Sequence, residues 1–316
     1  MELNLFTAIL LNVAGIYLLC SGANWLVDGA VSLSIRAGVS TLVAGLTVVS
    51  IGTSAPEAAS SIVATLQGNG SAALGNVFGS NIANLALIGG ICALIRPMKV
   101  SRRVVRSELT VMNVVTLMML VLIWNLKLSR PEGAVLAVVF ALLIYILIVS
   151  ALKGKGLVEP EPVEVKDLSI FAAVGLTVAG LVALTGGAKM AVSGAVFIGK
   201  TAGLSDAVIG LTIIAIGTSL PELITCVTAS LKGYDDISVG NLIGSNIFNM
   251  MFVTGLASLV KPFEFAARLR NFDFAVVIAT GLIFQAFATR RIIGKTGGVL
   301  LLAIYSVYTA FILFVR

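Results

Sequence analysis

The sequence predicts an all-α integral membrane protein, with about ten transmembrane helices arranged as two inverted five-helix repeats. Three observations lead there. Of 316 residues, 58% are hydrophobic and 11% charged, and the mean hydropathy is +1.07; an ordinary soluble domain has roughly 25% charged residues. The apolar residues fall in runs long enough to cross a bilayer, which takes about 20 residues per helix. The chain also repeats itself. IGTSAPEAASSIVA from Ile51 returns as IGTSLPELITCVTA from Ile216, and GNVFGSNIAN from Gly75 returns as GNLIGSNIFN from Gly240, both 165 residues further on. The match runs without a gap over 22–97 against 187–262.

In chain order the apolar runs lie at 5–32, 40–65, 72–95, 108–126, 132–152, 168–199, 205–230, 237–260, 272–289 and 295–315. The first and sixth are long enough to tilt strongly. The one long polar connection is KGKGLVEPEPVEVKD, residues 153–167, too short to be a domain. It divides a first five-span half, 1–152, from a second, 168–316, and is expected to be a cytoplasmic linker. Five is odd, so corresponding spans of the two halves cross in opposite directions. Inverted repeats of this kind are common in secondary transporters, whose sites lie at the midplane where the repeats meet.

Thirteen Lys and Arg residues, among them the cluster Arg96, Lys99, Arg102, Arg103 and Arg106, fall on the side reached after an odd number of crossings, and seven fall on the other. The bias makes the first side cytoplasmic and both termini extracellular, in a multi-pass protein of the cell membrane. The same cluster is compatible with anionic lipid headgroups. The N-terminal Met-Glu-Leu-Asn lacks a basic n-region, so no cleaved signal peptide is expected.

Composition also excludes function classes. The three cysteines, Cys20, Cys92 and Cys226, lie inside apolar runs without paired spacing, which argues against a disulfide framework or metal cluster. Histidine is absent, which argues against a Ser–His hydrolase, an HExxH protease and His-ligated zinc or haem. The net charge of +6 sits in short connections between spans and does not indicate nucleic-acid binding. No enzyme activity, cofactor or obligate protein partner is expected.

The chemistry lies in the repeated blocks. Pro56 and Pro221 stand in mid-span, where the missing N–H frees the carbonyls of Gly52 and Gly217. Thr53 and Glu57 are four residues apart, as are Thr218 and Glu222, so each pair shares one helix face. Carbonyl, hydroxyl and carboxylate oxygens thus gather on two opposed helices. Hard cations such as Ca²⁺ take six to eight oxygens, and two carboxylates match one divalent charge. An acid at membrane depth costs roughly 2.5–3.5 kcal/mol and marks an ion or substrate path by default. A structural acid would need a paired base, and no base recurs at matching positions.

The second block gives stripes at helical spacing: Asn76, Ser80 and Asn84 in one half, Asn241, Ser245 and Asn249 in the other. Asn76 and Asn241 read as interhelical hydrogen-bonders, the other four as ligands. Gly75 and Gly79, with Gly240 and Gly244, form small-xxx-small pairs expected to let helices approach closely. Asp28 is not duplicated, its repeat position being Ser193, and belongs near the inner interface. Lys189 is expected to snorkel. Cys226, one turn beyond Glu222 and matched to Ser61, reads as packing with an access path as the alternative.

The paired GTSxPE and GSNxxN motifs in five-span halves closely resemble the α-repeats of the Ca²⁺/cation antiporter superfamily, nearest its prokaryotic sodium/calcium exchanger branch. The GNxxE-type motif of vacuolar Ca²⁺/H⁺ exchangers is absent, and residues 153–167 leave no room for the regulatory domains of animal exchangers. The resemblance implies a central Ca²⁺ site from Glu57 and Glu222 with Thr53 and Thr218. It implies one Na⁺ site from Ser54, Ser245, Thr218 and the Ala215 carbonyl, and another from Ser219, Ser80, Thr53 and the Ser50 carbonyl. Asn84 and Asn249 complete the middle; some relatives carry Asp at the latter, which bears on charge stoichiometry. The function expected is Ca²⁺/Na⁺ antiport by alternating access, with Ca²⁺ and Na⁺ as transported ions and the bilayer as partner. The alternatives are Ca²⁺/H⁺ antiport on the same glutamates and, from another class, a cation channel.

Overall fold

The computed structural model describes residues 4–153, 168–204, 209, 213 and 215–314. Its longest helices are α1 (Leu5–Ala37) and the repeat-related α7 (Ile170–Thr201). Asn4 caps α1 by accepting the Thr7 N–H at 2.9 Å, and Gly38, in left-handed backbone at φ 69°, ends it. The two helices pack antiparallel through glycines. A β-carbon on Gly15 would lie 2.5 Å from the Ala191 nitrogen, and one on Gly22 would lie 2.9 Å from the Gly180 oxygen. Gly15 also meets Gly187, so the contacts Gly15–Gly187 and Gly22–Gly180 are images of one another under the 165-residue repeat. Without a hydrophobic driving force inside lipid, backbone approach of this kind holds helices together.

The next span is broken. Helix α2 (Thr41–Thr53) contains a π turn at Gly45–Val49, stops at Ser54, and α3 (Ala55–Leu66) continues bent by 43°. The cause is Pro56 at the start of α3, which cannot donate into the preceding turn. The second half repeats the device in α8 (Ala215–Thr218), Ser219 and α9 (Leu220–Leu231), with Pro221 in the same place. The expected run 205–230 is seen only as these two helices; 205–208 and several positions up to 214 lie outside the described residues.

Helices α4 (Gly70–Ile95) and α10 (Asp235–Val260) carry the GSNxxN blocks and sit centrally, 72% and 78% buried over their most apolar stretch. Helices α5 (Arg102–Leu122), α6 (Arg130–Lys153), α11 (Leu269–Ala288) and α12 (Lys295–Phe314) complete the fold. On the outside, α6 and α12 are only 11% and 17% buried. Among the described residues eight helices are long and apolar enough to span a membrane, or nine if α2 and α3 count as one. Two short antiparallel ribbons join the halves, one at each end of α5: β1 (Met98–Lys99) pairs with β4 (Ile292–Ile293), and β2 (Lys127–Leu128) with β3 (Phe263–Glu264).

Candidate functional site

Breaking the spans at Ser54 and Ser219 places Glu57 and Glu222 in the first turns of α3 and α9. Unpaired N–H groups there carry partial positive charge and favour an anion. Both glutamates are 1% exposed. They are bound crosswise: Ser54 of one half donates to Glu222 Oε1 at 2.8 Å, and Ser219 of the other donates to Glu57 Oε1 at 3.4 Å. The second oxygen of each, Oε2, has no hydrogen-bond partner among the described residues. A buried charge persists only when paired, and a cation between the two carboxylates would pair both.

Neutral polar side chains lie on the helices packed against α3 and α9. Thr53 donates to Asn241 Oδ1 at 3.2 Å, and Ser245 reaches the same oxygen at 3.4 Å. Asn84 Oδ1 and both side-chain atoms of Asn249 are buried and unpartnered. The reason for their common setting is local. Each is the second residue of a π turn, Ala83–Ile88 in α4 and Phe248–Val253 in α10, at repeat-related positions. A π turn loosens the backbone ladder and recurs at functional sites. No three of His, Cys, Asp and Glu cluster among the described residues, so a hard cation here would be held by two carboxylates plus neutral oxygens.

Of the remaining predicted residues, Ser50 lies on α2, Ser80 on α4, and Ala215 and Thr218 on α8. Ser80 and Thr218 line a cavity of about 550 Å³. Ser50 turns its hydroxyl to the Leu46 carbonyl at 2.8 Å, while its own carbonyl accepts Thr53 Oγ1 at 3.4 Å. Ala215 begins α8. Asn76 donates to the Glu57 carbonyl at 3.2 Å and to Ser61 at 2.9 Å, bracing α3 against α4. Asn241 donates to Cys226 Sγ at 3.3 Å in the equivalent place, so Cys226 is a buried member of a brace. Asp28 is paired with Lys232 at 2.6 Å, and Lys189 is exposed. Sequence reasoning passed over Asn81 and Asn246. They are duplicated in the same GSN triplets, and Asn81 donates to the Asn246 carbonyl at 3.2 Å; the Oδ1 of each is buried and unpartnered.

The expected small-residue pairs are seen packed in the second half. Gly240 and Gly244 do permit close approach: β-carbons there would lie 2.8 Å from the Leu42 oxygen and 2.5 Å from Ser50 Oγ. At Gly75 and Gly79 the counterparts of Leu42 and Leu46, positions 207 and 211, lie outside the described residues. Gly79 has nothing within 4 Å among the described residues, Gly75 meets only a Leu269 methyl at 3.7 Å, and both line the 550 Å³ cavity. The cavity mouth carries Asn69, Ser71 and Arg268. A smaller groove of about 240 Å³ holds the repeat-related place near Arg103, reaching Gly244 but neither Ser245 nor Thr53.

Comparison with known proteins bears on this arrangement. The family model for sodium/calcium exchanger proteins matches residues 7–149 and 172–314. The sodium/calcium exchanger MaX1 of Methanosarcina acetivorans is 32% identical over 344 residues, covering 97% of this chain and 98% of its own. The inner membrane protein YrbG of Escherichia coli is 36% identical over 318 residues, covering 97% and 96%. The solved sodium/calcium exchanger from Methanococcus jannaschii superposes with a TM-score of 0.85 at 29% identity, over 97% of this chain and 99% of that one. The chain is a multi-pass, all-α membrane protein that belongs to the sodium/calcium exchanger family.

Proposed function

We propose that this protein exchanges Ca²⁺ for Na⁺ across the cell membrane by alternating access, with Glu57 and Glu222 as the central ligands. The observation that carries the reading is the crosswise pairing of Ser54 with Glu222 and Ser219 with Glu57, which leaves one buried oxygen of each acid without a partner. Thr53, Thr218, Ser54, Ser219, Ser80, Ser245, Asn84 and Asn249, with the Ser50 and Ala215 carbonyls, supply neutral oxygens. Such groups coordinate Na⁺ and carry no proton near neutral pH, whereas proton coupling would need only the glutamates.

The empty site would bear two negative charges at membrane depth and resist reorientation; Ca²⁺ or several Na⁺ would relieve that charge, so exchange follows from occupancy. Exchange of three Na⁺ for one Ca²⁺ would move one net charge, worth about 2.3 kcal/mol per 100 mV. Access from one side is supported by the 550 Å³ cavity, which reaches Ser80 and Thr218, whereas the groove at the repeat-related place reaches neither Ser245 nor Thr53. Access on one side only also speaks against a channel. The antiparallel packing of α1 on α7 supports halves of inverted topology, and the bias of Lys and Arg assigns both termini to the outside and the Arg103 end to the cytoplasm.

The test is ⁴⁵Ca²⁺ uptake into proteoliposomes under imposed Na⁺, K⁺ or pH gradients. An outward Na⁺ gradient should drive uptake. Uptake driven by the pH gradient and not by Na⁺ replaces the reading with Ca²⁺/H⁺ antiport on the same acids.

A further inference from the structure

The 240 Å³ groove between α5 and α6 has a composition that ion access does not explain. Its walls are apolar, formed by Val111, Phe140, Leu143, Ile144 and Leu147, while Arg103, Ser107, Glu108 and Ser150 stand at one end. From Ser150 to Phe140 is ten residues of helix, about 15 Å, or half of a hydrocarbon core about 30 Å thick. The groove therefore runs the depth of one leaflet. It opens toward lipid, since Ile146 on its rim is 58% exposed.

The polar end is incomplete in a specific way. Arg103 Nε stands 3.9 Å from Glu108 Oε1, and the arginine side chain is 69% exposed. Glu108 is buried, and its Oε2 has no hydrogen-bond partner among the described residues. The repeat-related pair is Arg268 and Asp273, 3.7 Å apart. There Tyr308 donates its hydroxyl to Asp273 Oδ1 at 2.8 Å. The position equivalent to Tyr308 in the first half is Leu143. Glu108 thus has the arginine but lacks the phenol, and an apolar side chain lines the groove where the donor would be.

A ligand completing this end needs a donor for Glu108, an anion for Arg103 and Ser107, and an apolar chain for the wall. We propose that the groove is a phospholipid site selective for a headgroup bearing a primary ammonium on its phosphate. The ammonium would donate to Glu108, the phosphate would accept from Arg103 and Ser107, and one acyl chain would lie along Phe140 and Ile144. A phosphatidylcholine headgroup offers no N–H to Glu108, and an anionic headgroup brings charge of the same sign as the carboxylate. The acid therefore turns a basic end that fits any phosphate into a selective one.

The site is tested by native mass spectrometry of the purified, ion-free protein with phosphatidylethanolamine, phosphatidylglycerol and phosphatidylcholine of equal chain length. The wild type should retain phosphatidylethanolamine roughly tenfold better than phosphatidylcholine, the scale of one hydrogen bond to a charged group. Glu108→Gln should erase that preference, and Leu143→Tyr, which supplies the missing phenol, should weaken phosphatidylethanolamine retention. Soluble phosphoethanolamine should not displace the lipid, because it lacks the chain. Equal retention of all three lipids by the wild type overturns the proposal in favour of non-selective annular lipid, as does a preference for phosphatidylglycerol. The wild-type comparison stands even if a variant misfolds, and transport activity does not enter it.

Discussion

Ser54 binds Glu222 at 2.8 Å and Ser219 binds Glu57 at 3.4 Å, so each half's broken span holds the other half's acid. Neither carboxylate is positioned by its own repeat alone. A change at either break should therefore be felt at the opposite glutamate.

Glu57→Gln and Glu222→Gln should each reduce Ca²⁺ exchange at least roughly a hundredfold, on the scale of removing one partner from a buried charge pair. The amide keeps the serine contact, so folding and insertion should survive. The assay is ⁴⁵Ca²⁺ uptake by proteoliposomes, with thermal unfolding in detergent as the control. Near wild-type uptake by either variant would remove that acid from the site.

Ser80→Ala and Ser245→Ala should weaken the Na⁺ dependence of transport several-fold more than Ca²⁺ binding, because each removes a neutral oxygen and leaves both carboxylates. The comparison is the half-saturating Na⁺ concentration against calorimetric Ca²⁺ affinity. Parallel loss of both would assign the two serines to the Ca²⁺ site instead.

Single cysteines placed at Arg103 and Arg268 in a Cys20→Ser background should react differently with an impermeant thiol reagent added to intact cells. Arg268→Cys should label from outside and Arg103→Cys should not; the reverse pattern would invert the assigned orientation. Cys92 and Cys226 are buried and should contribute little.

Gly22→Val should lower the unfolding temperature, because even its first added carbon would lie 2.9 Å from the Gly180 oxygen and the Leu184 nitrogen. Overpacking of this kind costs about 1–3 kcal/mol. Gly175→Ala should leave the unfolding temperature unchanged, because Gly175 is exposed and has nothing within 4 Å to meet among the described residues. Equal effects of the two would mean that the α1–α7 seam gives way more easily than its spacing indicates.

How much of this was readable in advance depends on the kind of signal. Glu57, Glu222 and the serines beside the prolines were legible because duplication and polarity in an apolar run are properties of the string itself. The breaks were legible through Pro56 and Pro221. The π turns were not: Ala83–Ile88 contains neither proline nor glycine, and the turn follows from how α4 packs at the centre. The ribbons were not either, since two residues such as Met98–Lys99 carry no strand pattern. Ser80 and Ser245 stand in nearly identical sequence, yet the 550 Å³ cavity reaches Ser80 and the 240 Å³ groove does not reach Ser245; that difference belongs to the conformation and is not written in the residues.

The two ribbons have a consequence for biogenesis. Met98 cannot pair until Ile293 has been made, nor Leu128 until Phe263. Until Phe263 and then Ile293 are made, α5 has end strands unzipped, and until α10 is made Asn81 of α4 lies in hydrocarbon without the Asn246 carbonyl that accepts its hydrogen bond. Backbone and amide groups left open in a bilayer cost several kcal/mol each, and contacts this distant in sequence form slowly. The newborn first half is therefore the stage at which membrane quality control has the most to recognise, and a chain truncated before Ile292 should be cleared rather than accumulate as a stable half-protein.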